Sequence, residues 1–290
     1  MDKSLVAGFK TLFLEQYEAA KPVWDQIAVK VDSDSDSEVY GWLGGVPQLR
    51  EMNGERMPKT LKDYDYTIRN EEWEATIEIS HRDMKFNKLG DKNLIVRQLG
   101  ERAALFPDKL VFDLLETNGV CYDGQNFFDT DHEEGASGVQ SNILTAELDA
   151  TTFAQAEAKV LTFKDDQGEF MYDSVELTLV VPPGPRAEIA RALLENETVA
   201  TGGTNNIRGR AKLLVHPRVA SNRWFLMNTG GVVKPLIYQE AEFIPFEALE
   251  NRPDANNFES FMRKKNYYGP YILANAGYGD WRRAVRSTVS

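Results

Sequence analysis

Residues 92–118 constrain the chain most. Leu99, Ala103, Phe106, Leu110 and Leu114 recur at three- and four-residue intervals, with Ile95 starting the stripe. That spacing puts them on one face of a long amphipathic helix. Pro107 has no N–H to donate, so a kink, or a helix restart with the proline in a first turn, is expected there. Gly119 is placed to end the helix. The stripe reads as core, not as a cofactor pocket.

The elements around this helix divide by pattern. Leu5, Phe9, Leu12, Phe13 and Tyr17 keep helical spacing until Pro22, which predicts a short helical arm with little of its own chain to pack on. Asp32–Glu38 alternates acid and serine. It lacks the glycine and the closing glutamate of a calcium loop, so it reads as a solvated turn. Val39, Tyr40, Trp42 and Leu43 predict a strand, followed by a stretch punctuated by Gly44, Gly45, Pro47, Gly54 and Pro58. Tyr64–Arg69 and Trp73–Ser80 alternate like two strands of a hairpin turning at Asn70–Glu72. A hairpin alone is marginal in water, so a neighbouring subunit is its natural support.

From Leu144 the pattern becomes α/β. Thr152 and Gln155 resemble a capping box opening a helix to Leu161. Val175–Val181 is an apolar strand, Pro185 begins a helix to Asn196, and Ala211–His216 is a second strand. That order predicts a crossover with parallel pairing. An aromatic C-terminal segment, from Phe258 through Tyr268 to Trp281, is expected to rejoin the early β region and the long helix, making that domain discontinuous.

Composition excludes several functions. Among 290 residues, 42% are hydrophobic and 27% charged, normal for a globular chain. A net charge of −12 argues against wrapping duplex DNA, but not against enclosing it. The single cysteine, Cys121, forms no intrachain disulfide and belongs to no zinc-ligand spacing, so folding in a reducing cytoplasm is expected. No signal peptide or membrane span is expected. Asp129, Asp131 and His132 are a candidate metal or acid–base group, and a structural loop anchored by Phe127 and Phe128 is the competing reading. The loop before the Pro185 helix has too few glycines and too many prolines for a phosphate cradle.

A series of motifs in order resembles the Mu-like phage major head subunit family. It runs through Tyr40-Gly-Trp-Leu-Gly44, Tyr66-Thr-Ile-Arg-Asn70, Thr76-Ile-Glu-Ile-Ser80, Pro107-Asp108 and Cys121-Tyr-Asp-Gly-Gln-Asn-Phe-Phe-Asp-Thr-Asp-His132. It continues through Leu179-Val-Val-Pro182, Trp224-Phe225-Leu226 and Ala276-Gly-Tyr-Gly279. The resemblance implies an α+β, HK97-like capsid fold. In it, residues 1–37 are an N-terminal arm and 38–80 an extended E-loop hairpin. Residues 81–142 are a peripheral domain with a spine helix, 143–240 an α/β axial domain, and 241–290 return to the peripheral domain. It implies a self-assembling, non-enzymatic major capsid protein of a tailed phage, assembled in the bacterial cytoplasm into pentamers and hexamers around double-stranded DNA. No cofactor or metal is implied. Scaffold or protease, portal and decoration proteins are implied as separate partners. Phe9 and Phe13 on the arm, with Trp42, Leu43, Lys59 and Lys62 in the loop, are the expected contacts between copies. An encapsulin-like nanocompartment shell and a hydrolase using Asp129, Asp131 and His132 are the alternatives.

Overall fold

The chain is described by a computed structural model over residues 3–41, 66–86, 90–171, 175–198, 203–249, 262 and 264–289. It opens with helix α1 (Lys3–Ala19) and a short 3-10 turn at Trp24–Gln26. Strands β1 (Ala28–Asp32), β2 (Ser37–Val39), β3 (Thr67–Arg69), β4 (Glu71–Glu74) and β5 (Ile77–Ser80) follow. Helices α2 (His81–Lys85), α3 (Gly90–Ala104) and α4 (Phe106–Thr117) lead to β6 (Ile143–Leu144) and α5 (Ala150–Thr162). The chain then runs through β7 (Leu177–Val181), α6 (Pro185–Glu195), β8 (Ala211–Val215) and β9 (Arg223–Asn228). It ends with the long strands β10 (Leu236–Leu249) and β11 (Lys265–Tyr278), then β12 (Ala284–Thr288).

The expected helix is two helices. Leu105 leaves helical geometry (φ −86°, ψ 1°) and α4 restarts with Pro107 in its first turn, where a missing N–H costs nothing. The restart shifts the phase of the stripe. Leu99 and Ala103 are buried as expected, but in α4 the buried face is Asp108, Val111, Phe112 and Leu115, while Phe106, Leu110 and Leu114 lie at its edge. Asn118, not Gly119, makes the left-handed stop (φ 50°), its N–H donating to the Leu114 carbonyl. Gly119 instead lies against the Tyr278 ring, 3.2 Å from where a Cβ would stand.

Two five-stranded sheets carry the body. In the first, β10 and β11 run antiparallel over their whole length, β1 lies parallel to β10, and both β4 and β5 pair with β11. The predicted hairpin does not form. β3 pairs with β2 instead, and the second half of the expected hairpin lies on β11 of the same chain. The reason is burial: Ile68 and Ile79 point into different cores. In the second sheet the order is β6-β12-β9-β7-β8, with β7 and β8 parallel as the crossover predicts. Every residue of β7 is buried, as a central strand covered on both faces requires. Its helix α5 is capped by Asp149 and Thr152, three residues before the box expected from Thr152 and Gln155.

The C-terminal segment divides. β11 rejoins the early strands and contacts α4, as expected. β12 does not: it pairs with β9 and β6 in the other sheet, so residues 241–290 do not return as one piece. The first sheet also takes β10 from Leu236, before the expected boundary at 240.

A small second core is separate from the main one. Phe9 and Phe13 of α1 pack there with Val96, Leu99 and Ala103 of α3, Ile79, Met84, Phe246 and Tyr268. Gly100 permits the approach, since a Cβ there would stand 2.3 Å from the Phe13 carbonyl oxygen. The arm thus has a full bed on its own chain, contrary to the sequence expectation.

Candidate functional site

The loop from Cys121 to Asn142 closes on itself through polar side chains. The Asn118 carboxamide oxygen accepts from Phe128 N–H, and its amide donates to the Phe128 carbonyl. Asn142 does the same work at the other end, accepting from Asp129 N–H and donating to the Phe127 carbonyl. Between these clamps Phe127 and Phe128 are fully buried, as the anchoring reading expects.

His132 is buried too, but not with the partners expected. Its Nδ1 lies 2.6 Å from Asp123 Oδ2, and the Cys121 thiol donates to Asp123 Oδ1 at 3.0 Å. The ring stacks on Trp281 at 3.9 Å and 6°. Asp129 and Asp131 stand outside this group. A hydrogen bond between their two carboxyls raises the Asp131 pKa. Asp123 was missed because nothing periodic marks a loop residue that meets another nine positions on.

Below the histidine lies a buried ionic cluster. The Arg282 Nε donates to Asp280 Oδ1 at 2.8 Å, and its Nη1 lies 3.4 Å from Glu134 Oε2. Glu134 also accepts from the Tyr122 hydroxyl (2.7 Å) and the Trp281 indole (3.2 Å). Burial works against the Arg282 charge, but Asp280, Tyr122 and Glu134 outweigh it and hold the guanidinium above its ordinary pKa. Burial pushes the Glu134 carboxyl up, against the pull of Arg282.

Chemically this is a strut rather than a reaction centre. Among the described residues, Cys121, Asp123 and His132 are a group of metal-ligand type whose donor atoms lie within 4.8 Å. Those donors already bond to one another, and 2.6 Å between Nδ1 and Oδ2 is a hydrogen-bond distance. Burial drives the Cys121 thiol pKa far up, so no thiolate nucleophile forms. His132 is fully sealed from solvent and from any substrate.

The expected contact residues fall in two groups. Phe9 and Phe13 lie in the second core, Phe9 edge-on to Tyr268 at 5.4 Å and Phe13 against Phe246 at 5.7 Å. Trp42, Leu43, Lys59 and Lys62 lie outside the described residues. Two further joints have partners that the sequence pattern did not reveal. Asp108 Oδ1 accepts from the N–H groups of Val23 and Trp24 at 2.9 and 2.7 Å, fixing where the arm leaves the body. His216 stacks on Phe112 at 3.6 Å, beside ion pairs joining Arg218 to Asp113 and Arg223 to Glu116.

Comparison with known proteins decides what this architecture is. The chain matches the family described as Mu-like prophage major head subunit gpT over residues 3–147, 143–219 and 216–290. It belongs to that Mu-like head subunit family. The major capsid protein of Escherichia phage Mu is 38% identical over 285 residues, covering 98% of this chain and 72% of that protein. The Mu-like prophage FluMu major head subunit of Haemophilus influenzae is 28% identical over 97% of this chain and 71% of its own. A chain of the bacteriophage JBD30 procapsid superposes with a TM-score of 0.59 at 26% identity, covering 99% of this chain and 76% of that one. Like other Mu-like head subunits, this chain is a structural component of a phage capsid shell with the HK97-like fold, not a hydrolase. Among the described residues no helix is long and apolar enough to cross a membrane.

Proposed function

We propose that copies of this chain close into pentamers and hexamers of an icosahedral head that encloses double-stranded DNA. The likeness to a procapsid subunit over nearly the whole chain supports this most. The α/β sheet around β7 forms the axial domain nearest the capsomer centre, and the β10–β11 sheet with α3 and α4 forms the peripheral domain. Residues 38–80 supply the E-loop, with Trp42, Leu43, Lys59 and Lys62 as contacts to neighbouring copies. Phe9 and Phe13 seat the arm, and the arm in turn adds contacts between copies. Heterologous contacts repeated around an axis close the ring. Each adds apolar burial at roughly 25 cal/mol per Å², less the entropy of ordering the groups that meet. Scaffold or protease, portal and decoration proteins act as separate partners, and DNA is held by enclosure rather than by base contacts.

Electron microscopy of the chain expressed alone, and with its neighbouring gene products, tests this reading. Rings or closed shells with five- and six-fold units are expected. A chain that stays monomeric under every condition overturns it.

A further inference from the structure

Asparagine followed by glycine leaves a side-chain amide open to attack, because the glycine nitrogen has no Cβ beside it and its backbone turns freely. The sequence holds two such pairs, Asn53–Gly54 and Asn118–Gly119. The first lies outside the described residues, and the second stands where α4 ends and the Cys121–Asn142 loop begins. There the groups that would react are tied elsewhere. The Asn118 carboxamide accepts from Phe128 N–H at 2.8 Å and donates to the Phe128 carbonyl at 3.1 Å, so it is held at both ends. The Gly119 N–H donates to the Tyr278 hydroxyl at 2.5 Å, and that hydroxyl donates in turn to the Leu114 carbonyl at 2.9 Å. The Gly119 carbonyl accepts from Phe127 N–H at 2.9 Å. Asn118 itself is fixed in the left-handed conformation (φ 50°, ψ 52°), its N–H on the Leu114 carbonyl. Both residues are half-buried, so water reaches them.

We propose that Asn118–Gly119 is a spontaneous deamidation site, held shut by the closed loop and exposed by the open one. With the ties released, the Gly119 nitrogen gives its proton to solvent and bonds to Asn118 Cγ. The carboxamide nitrogen takes up a proton and leaves as ammonia, and a cyclic imide remains. Water opens that ring at one carbonyl or the other and leaves an aspartyl or isoaspartyl residue at position 118. Water enters, ammonia leaves, and nothing is oxidised or reduced. The product cannot rebuild the clamp. A carboxylate only accepts hydrogen bonds, so it has nothing to donate to the Phe128 carbonyl and sets oxygen against oxygen there. The isoaspartyl form also adds a carbon to the main chain where α4 must stop. A subunit that lingers with this loop open is therefore lost for good, whereas one that closes it is preserved.

Peptide mass spectrometry of the aged full chain reads the amide-to-acid conversion at each pair. In urea, with the chain open, Asn118 and Asn53 should convert at similar rates. In native buffer Asn118 should convert on the order of a hundredfold more slowly, since a reaction that needs an opening tracks the population of the open form. Equal rates at Asn118 in urea and native buffer overturn the proposal, and so does an Asn118 that stays intact in urea. Tyr278→Phe frees the Gly119 N–H and should speed native conversion on the order of fivefold. Gly100→Ala, which disturbs the seat of α1 instead, should leave it at the parental rate. Equal acceleration by both variants would tie conversion to general loosening rather than to this clamp, and no acceleration by Tyr278→Phe refutes it as well. Asn118→Asp makes the ring-opened product directly. Limited proteolysis should cut that variant within residues 121–142 faster than the parent, and equal cutting refutes the loss of the clamp.

Discussion

Asp123 is the residue on which the Cys121–Asn142 loop depends. Its two oxygens face the Cys121 thiol and the His132 ring, both buried. Removing one partner of a buried pair leaves the other unsatisfied, which costs about 3–5 kcal/mol. Asp123→Ala is therefore expected to lower the stability of the unassembled subunit by about 3 kcal/mol, read from its urea midpoint. A change within a few tenths of that for an exposed substitution such as Asp131→Ala would show that the pair carries no load. His216 makes a second prediction. Burial first, and then Arg218, lower its pKa to about 4, with Asp113 pulling weakly the other way. At neutral pH it is uncharged folded or unfolded. Below pH 6.5 the unfolded chain takes up a proton that the folded chain refuses, so stability falls with pH down to about 4 and this contribution then levels off. The loss is at most about 3 kcal/mol. Urea unfolding at pH 7, 5.5 and 4 should show a shallower decline for His216→Gln than for the parent, and parallel declines refute the assignment.

At the scale of elements, the bed of α1 is the feature most open to test. Gly100→Ala puts a methyl group where the Phe13 carbonyl stands. Alanine favours a helix by up to about 1 kcal/mol over glycine, but here the clash should win and loosen the arm. Limited proteolysis is expected to cut the variant near residues 20–26 faster than the parent, while the main melting transition stays in place. Equal cutting would place the arm's hold elsewhere. The helices and the parallel β7–β8 pair were legible in the sequence, because periodicity and proline position report local geometry directly. Pairing between distant strands was not. Tyr64–Arg69 and Trp73–Ser80 look like hairpin partners by alternation alone, yet Ile68 and Ile79 belong to different cores and the strands part company. The arm's aromatic stripe was visible, but its bed, Phe246 and Tyr268, lies more than 230 residues away. The loop motif was visible as a unit, and its aromatic anchors behaved as read. Its histidine partner was not, since alternation and helical spacing say nothing of how an irregular loop closes.

For the whole molecule, the acid excess governs what the shell does to its contents. Sequence-independent binding of duplex DNA comes from neutralised phosphates, and a chain with 33 basic and 45 acidic residues has little to offer them. Purified empty shells are expected to leave free duplex unbound at physiological salt in a gel-shift measurement. Tight binding there would mean that the inner wall gathers the basic side chains after all. The two cores matter at this scale as well. The main core runs beneath both sheets, while the second core holds the arm against α3 and the first sheet.

Asp108 gives that separation a direction. It grips the backbone of Val23 and Trp24 from within α4, and α1 lies wholly upstream of the grip. Whether the helix rests on its own bed or is drawn away, the chain emerges from the same point and on the same heading. A wall of such subunits therefore carries its tethers at fixed stations, and a tether that lets go can swing only about its root.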